Sequence, residues 1–352
     1  MKIRHIDIFE SLRREILAGK FDEERKLPSE NVLSRRFKVS RNTISRVTLD
    51  LKREGLIITR PGAATVLSRF AINATGALGL IDPGSGQGNV LSTICRHIVR
   101  FAEQAGWDVI REFVKTTEPV ARAREIEGLA ARFSSEHVSG VFMQPLEYLS
   151  DNASASNDVV MHLDRAKIPV VLLDYDIVTP PARSRYDLVT IDNLAAGLAV
   201  GRKLLASGSR RLAFLRSPGS ASTVGERCNG VACAVIKHGG VWTEKGNVLC
   251  ASPENARAIS RFVRTVCPDA IVCGNDALAI RLRKTLERLD LYGSIRLAGF
   301  DDQPGVAWNG YVTVRQPCED LAAVAFQTLV SRIKNPRLPV RTVSLPTSVV
   351  EY

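Results

Sequence analysis

Apolar positions along the chain follow two different periods, and the change falls near residue 70. Before it they recur at helical spacing. Ile8, Leu12 and Ile16, with Phe9 and Leu17 beside them, predict an amphipathic helix over 6–18 that Gly19 stops. Pro28 introduces a second, shorter helix, with Ser29 as N-cap, Glu30 at the positive end of the dipole, and Leu33 and Phe37 on its apolar face. Ser40 caps a third helix, RNTISRVTLDLKREG, whose apolar seam is Ile44, Val47 and Leu51 and which Gly55 ends. Arg41, Ser45, Thr48 and Lys52 share another face of it, flanked by Asn42, Arg46 and Arg53. LIITRPGAATVL then reads as two β-runs turning at Pro61-Gly62.

Beyond residue 77 short buried-strand runs alternate with helical patterns. The strand runs are 77–82, 108–114, 138–144, 169–176, 188–192, 211–217, 269–276, 295–302 and 312–316. Helical patterns fall near 90–105, 121–133, 157–166, 194–206, 225–238, 254–266, 277–288 and 319–333. Alternating β and α units predict doubly wound parallel sheets with helices on both faces. There are too many units for one sheet, which predicts two lobes. Residues 68–76 carry no strong helix pattern and read as a linker.

Composition narrows the class. The chain has 352 residues, 45% hydrophobic and 24% charged, so a large folded core is expected and dominant disorder is excluded. No run approaches the ~20 apolar residues of a membrane helix. The N-terminal stretch is charged and amphipathic, unlike a signal peptide, and a cytoplasmic protein without membrane contact is expected. Seven scattered cysteines without a C-x-x-C pair read as reduced thiols.

The net charge of +11 is unevenly spread. Residues 1–70 hold 16 basic and 9 acidic side chains, and the stretch from Arg25 to Arg69 holds 11 basic and 3 acidic. A compact basic module on a nearly neutral body is the electrostatic footprint of a nucleic-acid reader; the bland alternative is a solvated basic face. Helix, helix, turn, helix and hairpin supply the mechanics. The second helix of a helix-turn-helix lies in the major groove, and here its first residues are Arg41, Asn42, Thr43, Ser45 and Arg46. Arg suits guanine, Asn suits adenine, and Ser or Thr suits bases or phosphates. A small helical bundle with a polar face is the competing reading.

The head resembles the GntR-type winged helix. The matching residues are Leu27-Pro-Ser-Glu30, Phe37-x-Val-Ser-Arg41-x-Thr43, Leu51-x-x-Glu-Gly-Leu56, Arg60-x-Gly62 and Thr65-Val66. The resemblance implies that Ser29, Glu30, Ser40, Arg41, Asn42, Thr43, Ser45 and Arg46 meet bases or phosphates, with Gly62 at a wing tip in the minor groove. Asn31, Ser45 and Ala64 depart from the family pattern, so base preference is not inherited from it.

In the remainder, Asp174, Asn275-Asp276, Asp301-Asp302 and Gln316 stand at predicted strand ends, where open α/β folds bind ligands. Carboxylates and amides suit sugar hydroxyls; the alternative is that each caps the helix after it. This part resembles the LacI/GalR regulator core, which has the periplasmic-binding-protein fold. The resemblance is carried by Ile191-Asp-Asn-Leu-Ala-Ala-Gly197, Gly208-x-Arg-Arg-Leu-Ala-Phe-Leu215, Arg227-x-x-Gly230, Pro268-Asp-Ala-Ile-Val-Cys-x-Asn-Asp276, Gly299-Phe-Asp-Asp302 and Val314-Arg-Gln-Pro317. It implies an effector site made by Asp174, Arg227, Asn275, Asp301 and Gln316, in a core that also dimerises. No aromatic near Cys250–Pro253 offers the sugar-stacking ring common in that family. The expected division is a winged helix over 1–68, a linker over 69–76 and an effector core over 77–352. Within the core, lobe 1 takes about 77–190 plus 314–338 and lobe 2 takes about 191–313 plus 339–352. The two resemblances occur together in arabinose-repressor-like regulators.

An enzyme reading finds less support. Asp82-Pro-Gly-Ser-Gly-Gln-Gly88 follows a strand, but Asn89 breaks the G-x-G-x-x-G frame of a dinucleotide turn. The five histidines show no metal-ligand spacing, and neither a nucleophile elbow nor a P-loop occurs. The expectation is therefore a ligand-controlled transcriptional repressor with no catalytic residue, metal or cofactor. Its partners are a near-palindromic double-stranded DNA operator, a sugar or related effector, and a second copy of itself. The alternative is a metabolite-binding protein, or a nucleotide-cofactor enzyme, with a non-specific basic head.

Overall fold

The computed structural model describes residues 5–17, 20–21, 26–54, 56–59, 65–67, 77–82, 90–114, 116, 118–136, 138–147 and 152–352. The expected linker, the hairpin turn with Gly62, and the loop 83–89 lie outside the described residues.

The head is three helices and a hairpin. α1 (His5–Leu17) buries Ile8, Leu12 and Ile16 on one stripe. α2 (Glu30–Phe37) buries Leu33, and α3 (Arg41–Arg53) buries Ile44, Val47 and Leu51. These pack in one apolar cluster with Leu27, Leu56, Ile57 and Leu67, and that cluster runs on into the first lobe at Leu78 and Leu80. β1 (Ile57–Ile58) and β2 (Val66–Leu67) pair antiparallel, Ile57 opposite Leu67. Lys26 bridges to Val66, and the Leu27 N–H donates to the Thr65 carbonyl at 2.9 Å, tying the segment before α2 to the hairpin.

The core runs β3 (Leu78–Asp82), α4 (Val90–Gln104), β4 (Val109–Phe113), α5 (Pro119–Ser135), β5 (Gly140–Met143), α6 (Asn152–Arg165), β6 (Val170–Leu173) and β7 (Asp187–Ile191). There follow α7 (Asn193–Ala206), β8 (Leu212–Arg216), α8 (Ser222–Lys237), the short α9 (Glu244–Asn247), β9 (Val248–Cys250), α10 (Ala256–Val266), β10 (Ala270–Cys273) and α11 (Asp276–Arg288). The chain ends with β11 (Arg296–Ala298), β12 (Val312–Arg315), α12 (Cys318–Lys334), β13 (Thr342–Leu345) and β14 (Ser348–Glu351).

Two six-stranded sheets result, in the orders β13-β7-β6-β5-β3-β4 and β14-β12-β11-β10-β8-β9. All pairs are parallel except β12 with β14. Side chains alternate across each sheet, so each lobe has two apolar layers. In the first, Leu78, Leu80 and Phe142 meet α4 and α12, while Ile81, Val141 and Met143 face the α5 and α6 side. In the second, Phe214 and Val272 join residues of α7 and α8, while Leu215 and Ile271 join those of α10 and α11.

The chain passes between the sheets three times: after β7, after β12 and after β13. This corrects the expected division of the lobes. Residues 342–345 pair with β7, Thr342 opposite Leu188, and so belong to the first sheet; only 348–351 return to the second. The local reason is a row of hydrogen bonds on the open side of β7, which a short terminal strand satisfies before turning at Pro346. β12 belongs wholly to the second sheet, and α12 after it packs on the first. Among the described residues no helix is long and apolar enough to cross a membrane, and no group of His, Cys, Asp and Glu could hold a metal ion.

Candidate ligand cavity and nucleic-acid interface

A cavity of about 280 Å³ opens at the carboxyl ends of both sheets. Parallel strands create such a place, because all their carboxyl ends fall on one side and the loops after them converge. Asp174, Arg227, Asn275, Asp301 and Gln316 all line it, brought together from five separate segments of the chain. Leu91, Ile94, Leu173, Val189 and Leu321 supply apolar wall.

Each polar group is held. Arg227 is 5% exposed. Its Nε donates to Asn193 Oδ1 and its Nη1 to the Gly274 carbonyl, both at 2.8 Å, and its guanidinium lies 4.8 Å from the Phe300 ring centre. Asp174 accepts from Gln144 Nε2 at 3.1 Å, and Asp301 accepts from Gln316 Nε2 at 2.8 Å. Both aspartates sit on left-handed backbone, with φ of 75° and 111°, unusual for residues with a Cβ. Ladder-like bonds hold them there: Asp174 N–H donates to the Val189 carbonyl at 2.9 Å and Asp301 N–H to Val314 at 2.8 Å. Backbone strain of this kind concentrates at binding sites, where surrounding structure imposes it.

Electrostatics follow from depth. The two carboxyls touch the cavity but lie deep in the molecule. Burial pushes Asp301 up to about 7, against the nearby Arg227 charge. Burial also raises Asp174, opposed by Arg227 and by the Gln144 hydrogen bond. Asn275 settles between the two readings of strand-end residues by doing one job with each end. Its Oδ1 caps α11 by accepting from the Leu278 N–H at 2.9 Å, which leaves the amide nitrogen as the group available to the cavity. Its neighbour Asp276 is fully buried and structural: it accepts from Tyr311 Oη at 2.7 Å, Thr313 Oγ1 at 2.9 Å and the Gln303 N–H at 3.0 Å. Asp302 likewise turns to Arg315, at 2.6 Å.

Sequence reasoning missed several members. Gln144 and Thr190 line the cavity; both stand at strand ends, so the rule that selected Asp174 would have found them. Asn193, which positions Arg227, lies in the Ile191–Gly197 motif that carries the resemblance but is not among the residues singled out from it. Arg122, in the first turns of α5, also lines the cavity and was invisible to strand-end logic. Asp82, at the end of β3, is fully buried and takes Ser92 Oγ at 3.1 Å and Arg111 Nη2 at 2.5 Å.

In the head, α3 presents its first turns to solvent. Arg41, Asn42, Ser45 and Arg46 are exposed and Thr43 half-buried, while Ile44 and Val47 point inward. Ser40 Oγ accepts from the Thr43 N–H at 3.2 Å and contacts Thr43 Oγ1 at 2.9 Å; Ser29 Oγ accepts from the Val32 N–H at 3.4 Å. Both serines therefore cap the helices whose starts they mark. Ser29 and Glu30 are exposed at the start of α2. Part of the basic charge is spent internally: Arg13 pairs with Glu54 at 2.9 Å, and Arg36 with Glu15. Arg41 and Arg46 form no ion pair with a described residue.

Comparison with known proteins matches residues 6–67 to the bacterial regulatory proteins of the gntR family, and residues 202–351 to the periplasmic binding protein-like domain. The arabinose metabolism transcriptional repressor of Geobacillus stearothermophilus is 24% identical over 354 residues, covering 95% of this chain and 93% of that one. The ribose operon repressor of Bacillus subtilis is 23% identical over 64% of this chain and 66% of its own length. The repressor PurR of Proteus mirabilis is 28% identical, and the chain spans about half its length. Among solved structures, a complex of the transcriptional regulator CelR with cellobiose superposes with a TM-score of 0.64 at 18% identity, covering 92% of this chain and 99% of that one. A LacI family regulator of Enterococcus faecium with bound ribose gives 0.61 at 18% identity, covering 78% and 97%. The chain thus joins a gntR-type helix-turn-helix head to a core with the periplasmic-binding-protein fold.

Proposed function

We propose that this protein is a sequence-specific transcriptional repressor whose operator affinity is set by a small polyhydroxylated molecule bound between the lobes. The observation that carries the reading is the cavity itself. Five polar side chains from both lobes converge on it, in a chain whose other end exposes Arg41, Asn42, Ser45 and Arg46 from one capped helix. Phosphate neutralisation by the basic head supplies affinity, and the first turns of α3 read base edges. Ser29, Glu30, Ser40 and Gly62 complete the DNA contact, and Asp174, Arg227, Asn275, Asp301 and Gln316 hold the effector. A two-fold dimer formed through the core presents two heads to a near-palindromic site. The effector acts by preferring one inter-lobe angle, which changes the separation of the heads. Names and bound sugars of the similar proteins support a carbohydrate-related effector, and the named repressors among them support a cytoplasmic setting.

The test is selection of bound duplexes from a random library by full-length protein at ~150 mM salt, where screening weakens non-specific contacts. An enriched palindrome is expected, and Arg41→Ala should lose the enrichment while keeping the fold. Binding without sequence enrichment, with and without a panel of sugars, would refute the regulator reading.

A further inference from the structure

Arg122 lies in the second turn of α5 and lines the cavity, but it is not among the groups that hold the cavity together. Its Nε is buried and has no hydrogen-bond partner. A guanidinium carries five N–H donors and no acceptor, so a buried donor left empty is costly unless something supplies an oxygen. The other polar groups on the cavity wall make their hydrogen bonds elsewhere. Arg227 donates to Asn193 and Gly274, and one oxygen each of Asp174 and Asp301 accepts from a glutamine amide, so none of these is bonded to Arg122. The same cavity wall includes apolar side chains, such as Val90 and Leu91, which offer no acceptor to a buried donor.

The geometry points to an effector that bears a carboxylate: a sugar acid whose acid group is received by Arg122 while its hydroxyls meet Asp174, Asn275, Asp301 and Gln316. This rests on the cavity being the effector site. A carboxylate matches the planar fork of a guanidinium with two parallel hydrogen bonds, and such charge-assisted pairs are among the strongest a protein makes. The cavity, about 280 Å³, is at the small end for ligand pockets and admits one monosaccharide unit. Burial pushes the Asp301 and Asp174 carboxyls upward against the nearby Arg227 charge, which weakens their repulsion of an anion; Glu147 is the other acid on the cavity wall. No aromatic ring lines the cavity among the described residues, so binding relies on directed polar contacts in place of ring stacking.

The experiment is calorimetric titration of the full-length protein with matched pairs: galactose against galacturonate, glucose against glucuronate, and glucose 6-phosphate as a phosphate-bearing member. Wild type, Arg122→Met and Arg122→Lys are compared. The expected result is that at least one acid binds wild type about tenfold or more tightly than its neutral partner. Arg122→Met should abolish that preference while neutral sugars bind it no worse than wild type; Arg122→Lys should restore part of it. Tighter binding of the phosphate than of any carboxylate would overturn the carboxylate assignment. Equal binding of acid and neutral members, unaffected at Arg122, would overturn this inference and leave the effector cavity standing. Failure of every member to bind, with Asp301→Asn and wild type indistinguishable, would overturn the cavity reading and this inference together. Thermal unfolding of each variant without ligand separates lost binding from lost folding.

Discussion

At the scale of single residues, the cavity is built from groups held against their own preference. Asp301 combines a left-handed backbone with a deep, half-buried carboxyl on the cavity wall, whose pKa is pushed up to about 7. In the unfolded chain an aspartate titrates near about 3.9. Between those values the folded protein holds a proton that the unfolded chain has released, so this group's contribution to stability declines as pH rises from about 4 to 7. Above that range the full cost of the buried charge is present. Asp301→Asn keeps an acceptor for Gln316 and removes the charge. Its melting temperature should exceed that of wild type by about 2–4 °C near pH 8, converging with it toward pH 4, by thermal unfolding without ligand. A constant difference across that range would show that Asp301 does not titrate there. Ligand affinity is expected to fall in the same variant, since stability and binding compete for this side chain.

Secondary-structure elements meet most closely where α7 crosses α8. A Cβ on Gly197 would lie 2.0 Å from the Arg227 carbonyl oxygen, and one on Gly230 would lie 2.2 Å from that of Leu194. Backbone touches backbone there, which is possible only without side chains at the crossing. Arg227 sits at this contact, so the crossing sets how far its guanidinium reaches toward Asn193 and the cavity. Gly230→Ala should cost about 1–3 kcal/mol in urea unfolding and weaken ligand binding as well. Gly225 lies in the same helix, and a Cβ there meets nothing within 4 Å. Gly225→Ala should therefore be neutral or stabilise by up to about 1 kcal/mol through helix propensity. Opposite signs for two identical substitutions in one helix would tie the cost to the crossing; equal effects would remove that account.

For the whole molecule, the arrangement places the reading head at one end of the chain and the cavity between two lobes joined by three crossing segments. Three connections permit the lobes to change angle without unfolding, as hinge closure requires. Any coupling between cavity and operator must be reciprocal. The factor by which saturating effector changes operator affinity should equal the factor by which saturating operator changes effector affinity. Titrations in both directions at one salt concentration check this, because affinity for DNA alone falls steeply with salt. Unequal factors would mean that a third state, such as a change of oligomer, lies between the two sites.

Much of this architecture is legible in the residues alone, because it depends on short-range rules. Short continuous apolar runs place nine of the twelve core strands, and Ser29 and Ser40 mark helix starts because their hydroxyls satisfy the first free N–H groups. Asp174, Asn275, Asp301 and Gln316 are foreseeable as cavity members because parallel strands gather their carboxyl ends on one side. Other features come from tertiary structure, since they depend on which distant segments meet. Thr342–Leu345 has strand character but nothing local tells which sheet will accept it; the open edge of β7 decides. The basic excess of the head is a property of composition, but which cations remain for DNA depends on Glu15 and Glu54 reaching Arg36 and Arg13. Arg122 shows the division most plainly. As a residue it is one more arginine on an amphipathic helix, and only the packing of α5 beside the strand ends turns it into an unsatisfied donor in a ligand cavity.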